Sequence, residues 1–123
     1  MSTTSSEHAF AAAKTADCAA IAAIIAAPDP AEAKQIARSA PLVEDWDVTR
    51  FGVMEKIITA KFTHNQDLGD MLVATGGAVL VEGNTWHDQT WGSCSCGEHQ
   101  QIPGANALGV ILMAARMRLT LAR

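Results

Sequence analysis

Residues 47–63 read DVTRFGVMEKIITAKFT. Phe51, Met54, Ile57, Ile58 and Phe62 recur at steps of three and four, the period of a single helix face. The stretch therefore predicts an amphipathic helix over 47–63. On its N-terminal side, Pro41 stops a shorter helix over 30–40, which opens on Asp29 as a cap and Pro30 at the first helical position. Before that lies an alanine-rich helical stretch over 17–27, ended by Pro28. Thr4, followed three residues later by Glu7, has the pattern of a capping box for a first helix over 5–15. On the C-terminal side, a helix over 66–74 breaks at Thr75-Gly76-Gly77. The run Ala-Val-Leu-Val-Glu at 78–82 is the best strand candidate, being short and β-branched. Residues 83–104 form a long loop, and loops of that length inside a compact domain usually serve function. A last helix over 105–121 carries Leu108, Ile111, Leu112, Ala115 and Leu119 as its buried stripe. The fold class is mainly α, an α+β chain with minor short strands, in one compact domain over 1–123.

Composition bounds the function. The chain has 123 residues, of which 49% are hydrophobic and 18% charged, an ordinary globular balance. The formal net charge is −4, and no block of Lys or Arg marks a nucleic-acid footprint. A small anion is still within reach of a few placed cations and helix N-termini. No apolar run is long enough to span a membrane, so no membrane partner is expected. The N-terminus has neither the basic nor the apolar region of a signal peptide, and a cytoplasmic setting is the expectation. Cys18, Cys94 and Cys96 are an odd number, and reduced thiols fit that setting.

Several residues are not explained by a plain core. Glu7 and Lys14 are seven apart, on nearly one face of the first helix. Arg50 and Lys61 are almost three whole turns apart and share the stripe of Met54, Ile57 and Ile58. Such cations either snorkel or face an anion. Glu82 closes the strand candidate, and Asp88 follows beside Trp86, His87 and Trp91. Gly104 to Gly109, with Asn106 between them, opens the last helix on free N–H groups, a natural seat for phosphate. Cys94 and Cys96 lie near His87 and His99. A single residue between the cysteines is tighter than the usual zinc spacing of two to four. The reading is a loop with two ordinary thiols, no metal and no cofactor.

Taken in order, these segments resemble the NADAR (YbiA-like) family. The resemblance rests on Ser6-Glu7-His8 with Phe10 and Lys14, Asp45-Trp46 with Arg50, and Lys61-Phe62 with Asn65. It continues through Thr75-Gly76, Leu80-Val81-Glu82, Asp88 with Trp91-Gly92, and Gly104-Ala-Asn106-Ala-Leu108-Gly109 with Met113 and Arg116. It spans almost the entire chain. After Trp91-Gly92 the family usually has a glycine-rich, charged run, where this chain has Ser93-Cys94-Ser95-Cys96. The family also usually carries an upstream segment that helps to wall the pocket. This sequence begins shortly before Glu7, so the expectation is a domain lacking that segment, or a homo-oligomer whose second subunit supplies the wall.

The resemblance implies an N-glycosidase. Its substrate would be a small nucleotide-like molecule in which ribose phosphate or ADP-ribose joins an amino group of a base. Riboflavin-pathway aminopyrimidines and ADP-ribosylated guanine, including that in nucleic acid, are the expected classes. The implied catalytic set is Glu7, Lys14, Asp88 and Glu82. The implied binding set is His8, Trp46, Arg50, Lys61, Trp91, Gly92 and Asn106, with the two tryptophans stacking on the base. The alternative is a non-catalytic module that holds ADP-ribose or a nucleotide.

Overall fold

The computed structural model describes residues 5–123. In chain order the elements are α1 (Ser6–Ala13), α2 (Cys18–Ala26), α3 (Pro30–Ser39), α4 (Trp46–Thr63), α5 (Gln66–Ala74), β1 (Gly83–Asn84), β2 (Ser93–Cys94) and α6 (Ala107–Ala122). The helices expected from periodicity and capping are present, with ends shifted by one or two residues. The chain divides into two compact units, Met1–Ile57 and Ile58–Arg123.

In the first unit, α1, α2 and α3 pack against one another. Each opens on a side-chain cap: the Ala20 N–H donates to Asp17 and the Glu32 N–H to Asp29. At α1 the cap is Ser5, whose Oγ accepts from the His8 N–H at 3.2 Å. The expected capping residue Thr4 lies outside the described residues. Caps matter here because short alanine-rich helices are marginal alone. The core they surround is Ala11, Ile24, Ala27, Ala33 and Ala37. Alanine lets helices approach closely but buries little apolar area per residue.

A polar clamp supplements that small core. His8, expected to touch substrate, has a fully buried ring. Its Nε2 lies 2.9 Å from the Ala27 carbonyl, which can only accept, so Nε2 carries a proton. Its Nδ1 sits 2.6 Å from Ser5 Oγ. Both ring nitrogens are engaged, and they tie the cap of α1 to the end of α2. Trp46, expected to stack on a base, likewise lies in this unit's interior. It is buried, and its ring lies 5.2 Å from that of Phe10 at a tilt of 55°. The indole packs within the first unit.

The second unit contains the end of α4, then α5 packed on α6. Gly69 is needed at that crossing, because a Cβ there would press on the Phe62 carbonyl and approach Leu119. Residues 78–82 are not a strand, contrary to expectation, and Val79 and Val81 are largely exposed. The sheet is a parallel bridge just beyond, with Gly83 opposite Ser93 and Asn84 opposite Cys94. A parallel connection usually takes a dozen residues or more. Here the crossover, residues 85–92, is shorter, which is feasible because each strand has only two residues.

The clamp predicts a stability cost. His8→Ala should lower unfolding free energy by about 2–4 kcal/mol, combining a buried cavity with lost hydrogen bonds. Urea denaturation followed by circular dichroism measures it. An unchanged midpoint would show that the clamp contributes nothing.

Candidate active site

The second unit's site is built on two asparagine side chains. The Asn106 carboxamide accepts from the Glu82 N–H at 2.9 Å and donates to the Leu80 carbonyl at 2.8 Å. It pairs with residues 80–82 as a neighbouring strand would. Asn106 itself is left-handed, with φ 55°, a conformation asparagine tolerates better than most residues. Asn84 does the same inside its own loop. Its Nδ2 donates to the Asp88 carbonyl, and its Oδ1 accepts from the Asp88 N–H.

The start of α6 is not the free donor set that the sequence suggested. The N–H groups of Ala105, Asn106, Ala107 and Leu108 donate to the carbonyls of Gln89, Gly92, Thr90 and Trp91. The Asn106 side chain is also committed. Asn106 is therefore a positioning residue for the segment that ends in Glu82, and its helix end is filled by the 89–92 loop.

Glu82 is the functional candidate this scaffold presents. Its backbone is held at both ends, by Asn106 and by the Ser93 N–H on its carbonyl. Its carboxylate Oε2 is buried and has no hydrogen-bond partner among the described residues. Buried carboxylate oxygens are normally satisfied, so one held without a protein partner stands out chemically. Gly92 packs directly against it: a Cβ on Gly92 would fall on the Glu82 carbonyl and carboxylate oxygens. Asp88 is differently placed. Its Oδ1 accepts from the Thr90 and Trp91 N–H groups, at 3.1 and 2.9 Å, and so holds the turn. Trp91 is half-buried at the end of that turn, and Lys61 is exposed near the end of α4.

The same loop gathers both cysteines and both histidines that the sequence left as ordinary. One ligand atom from each of His87, Cys94, Cys96 and His99 lies within 4.8 Å of the others. Cys94 is buried, and its Sγ accepts from the His87 and Cys96 N–H groups, at 3.3 and 3.4 Å. Burial opposes ionisation of this thiol, but those donors outweigh it and its pKa is lowered overall.

In the first unit, Lys14 follows α1 as its C-cap. The ammonium lies 5.5 Å from the centre of the Phe10 ring. Its pKa is lowered, first by partial burial and then by the positive charges of Lys34 and Arg38 on α3. Those two cations were missed in the sequence reading. Their i, i+4 spacing put them on one face of α3, but nothing in the sequence said which helix that face would meet. Glu7 is exposed in the first turn of α1. Arg50 lies along Phe51, 4.8 Å from the ring centre, and donates to the Asp47 carbonyl. Glu7 and Lys14 thus share a helix and its cap, while Glu82, Asp88, Trp91, Gly92 and Asn106 are brought together in the second unit.

Comparison with known proteins follows the same outline. A sequence model of the NADAR domain matches residues 1–120. An N-glycosidase of Nostoc punctiforme is 36% identical over an aligned length of 115, covering 89% of this chain and 70% of that protein. The N-glycosidase YbiA of Escherichia coli is 38% identical over 68% of this chain, a stretch that spans only 49% of YbiA. The NMR structure of E. coli YbiA superimposes with a TM-score of 0.80 at 35% identity, covering 95% of this chain and 67% of that one. The chain belongs to the NADAR family. Its relatives include a chloroplastic riboflavin biosynthesis protein of Zea mays, 38% identical over 76% of this chain but over 15% of that protein.

The Gly92 contact gives a sharp comparison. Gly92→Ala should destabilise by about 1–3 kcal/mol, as overpacking does. Gly83→Ala, where a Cβ would meet nothing within 4 Å, should stay within about 0.5 kcal/mol of wild type. Thermal unfolding of both variants checks it, and equal effects would refute the close approach.

Proposed function

We propose that this chain is an N-glycosidase, which hydrolyses the bond between a phosphorylated ribose and an exocyclic amino group of a base. Membership of the NADAR family supports the reaction class, and the names of the bacterial relatives point the same way. The maize relative's name, a riboflavin biosynthesis protein, supports a riboflavin-pathway aminopyrimidine as substrate class. ADP-ribosylated guanine is the other class with the same exocyclic linkage.

The observation that carries the mechanism is the setting of Lys14 at the end of α1, half-buried against the Phe10 ring, with partial burial and the charges of Lys34 and Arg38 lowering its pKa. A lowered pKa makes the free-base amine easier to reach, and the free base is the nucleophilic form of lysine. A ribose joined to an exocyclic amine can open to a protonated imine at C1′. Lys14 Nζ adds to that carbon, and a proton moves to the base nitrogen. The C1′–N bond to the base then breaks, which leaves a lysine imine. Water adds to the imine and releases the sugar aldehyde and the free amine. Glu7, on the same helix as Lys14, is the proposed proton shuttle. Glu82 is the proposed carboxylate that steadies cationic charge on the sugar, for which its unpaired oxygen suits it. Arg50 and Lys61 are the proposed phosphate contacts, and Trp91 the stacking surface for the base. A closed-ring route using Glu7 and Asp88 is less well supported, because Asp88 Oδ1 already accepts two backbone N–H groups.

Two measurements test this reading. Lys14→Arg and Lys14→Ala should both lose at least about a hundredfold in kcat/KM, since guanidinium keeps the charge but cannot act as an amine. Borohydride should trap a sugar adduct on the wild-type chain and on neither variant. High activity in Lys14→Arg would overturn the covalent step, and ligand binding without turnover in wild type would favour a nucleotide-binding module.

The pH profile gives an independent check. Lys34 and Arg38 help to hold the Lys14 pKa down. Lys34→Ala with Arg38→Ala should therefore raise that pKa, and the rising limb of the pH–rate curve should move to higher pH. No movement would mean that this amine does not limit the rate.

A further inference from the structure

We infer that His87, Cys94, Cys96 and His99 form a structural zinc site, which braces the loop carrying Asp88, Trp91 and Gly92. The inference is independent of the proposed hydrolase chemistry and rests on the convergence of four ligand atoms.

Three of them form a closed triangle. Cys96 Sγ lies 3.3 Å from His87 Nδ1 and 3.1 Å from His99 Nδ1, and the two Nδ1 atoms are 3.3 Å apart. A triangle of that size has corners near 60°, so three straight hydrogen bonds cannot occupy its edges together. A central cation accounts for the convergence, with a small outward movement of the ligands on binding. Tetrahedral zinc, with bonds of about 2.0–2.1 Å to nitrogen and about 2.3 Å to sulfur, has edges of roughly 3.3–3.8 Å between ligands. The fourth ligand, Cys94 Sγ, is within 4.8 Å of the others and buried. Its two backbone N–H donors are what a metal-bound thiolate recruits as outer support. Two thiolates and two imidazoles favour zinc over oxygen-seeking magnesium or calcium. Four protein ligands close the coordination sphere, which fits a structural rather than a catalytic ion.

The backbone is arranged to the same end. His87 takes φ 69°, a left-handed conformation uncommon for a residue with a side chain. β2 places Cys94, and the Cys94 N–H donates to Gln89 Oε1 while Gln89 Nε2 donates to the Ile102 carbonyl. The turn that follows brings His99 back, with its N–H on the Cys96 carbonyl. The loop has little apolar core of its own: Trp86 and Ile102 are largely exposed. A metal cross-link supplies the cohesion that hydrophobic burial does not. On binding, Zn²⁺ replaces the two thiol protons, which pass to solvent.

The test uses the full chain purified with a thiol reductant and dialysed against zinc. Elemental analysis should find about one zinc per chain in wild type and in Cys18→Ser, whose cysteine is exposed and remote in sequence. Cys96→Ser and His99→Ala should lose most of it. Cobalt exchanged into the wild-type chain should show tetrahedral d–d bands and thiolate charge transfer, a readout that does not depend on any variant folding. Wild type well below one zinc per chain, full zinc in Cys96→Ser, or cobalt without thiolate bands would each overturn the site.

Discussion

The second unit depends on one carboxamide. Asn106 closes a loop of more than twenty residues by pairing with both Leu80 and Glu82. Segment 80–82 belongs to no strand, and the Leu80 carbonyl and the Glu82 N–H both take this one side chain as their partner. Because the same residue stands at the start of α6, it fixes the helix and the 80–82 segment in a single register. Glu82 is then held at its N–H by the side chain and at its carbonyl by Ser93. Its carboxylate is oriented by backbone constraint, not by partners of its own. Gly109 serves this junction too, since a Cβ there would strike the Leu80 carbonyl and the Asn106 side chain.

The two units use polar groups for related reasons. The first has a core made largely of alanine, and the fully buried His8 binds two of its helices where apolar contact is thin. The second has a loop built from turn-forming residues, and asparagine amides with a Cys/His cluster take the place of a strand-rich core. In both, residues that look functional in a sequence do structural work. His8 and Trp46 are the clearest cases: both rings are buried, the imidazole bonded to Ser5 and Ala27 and the indole against Phe10.

Legibility followed locality. Caps at Asp17 and Asp29, proline at the start of α3 and the stripe of α4 depend on neighbours within a turn or two, so sequence spacing revealed those helices. Residues 78–82 misled because β-branched alternation cannot say whether a partner strand exists; the partner is a side chain far along the chain. Gly83–Asn84 and Ser93–Cys94 fell within the long loop over 83–104 because two-residue strands leave no periodic trace. Among the candidate site residues, Glu82 and Lys14 were visible as types at suggestive positions. The unpaired oxygen of the first and the cationic neighbours of the second come from tertiary packing. The Cys/His quartet was discounted because spacing rules assume that one tight turn presents both cysteines. Here β2 presents Cys94, and a separate turn delivers Cys96 and His99.

The first turn of a helix usually exchanges its amide hydrogens quickly, because those N–H groups lack intrahelical acceptors. In α6 the Ala107 and Leu108 amides bond to loop carbonyls at Thr90 and Trp91. Their exchange is consequently governed by opening of the 89–92 loop rather than by fraying of the helix. The loop and the helix start form one cooperative unit of local unfolding. Amide exchange at these two positions thus reports motion of the loop that carries Trp91 and Gly92, through a helix that itself stays folded.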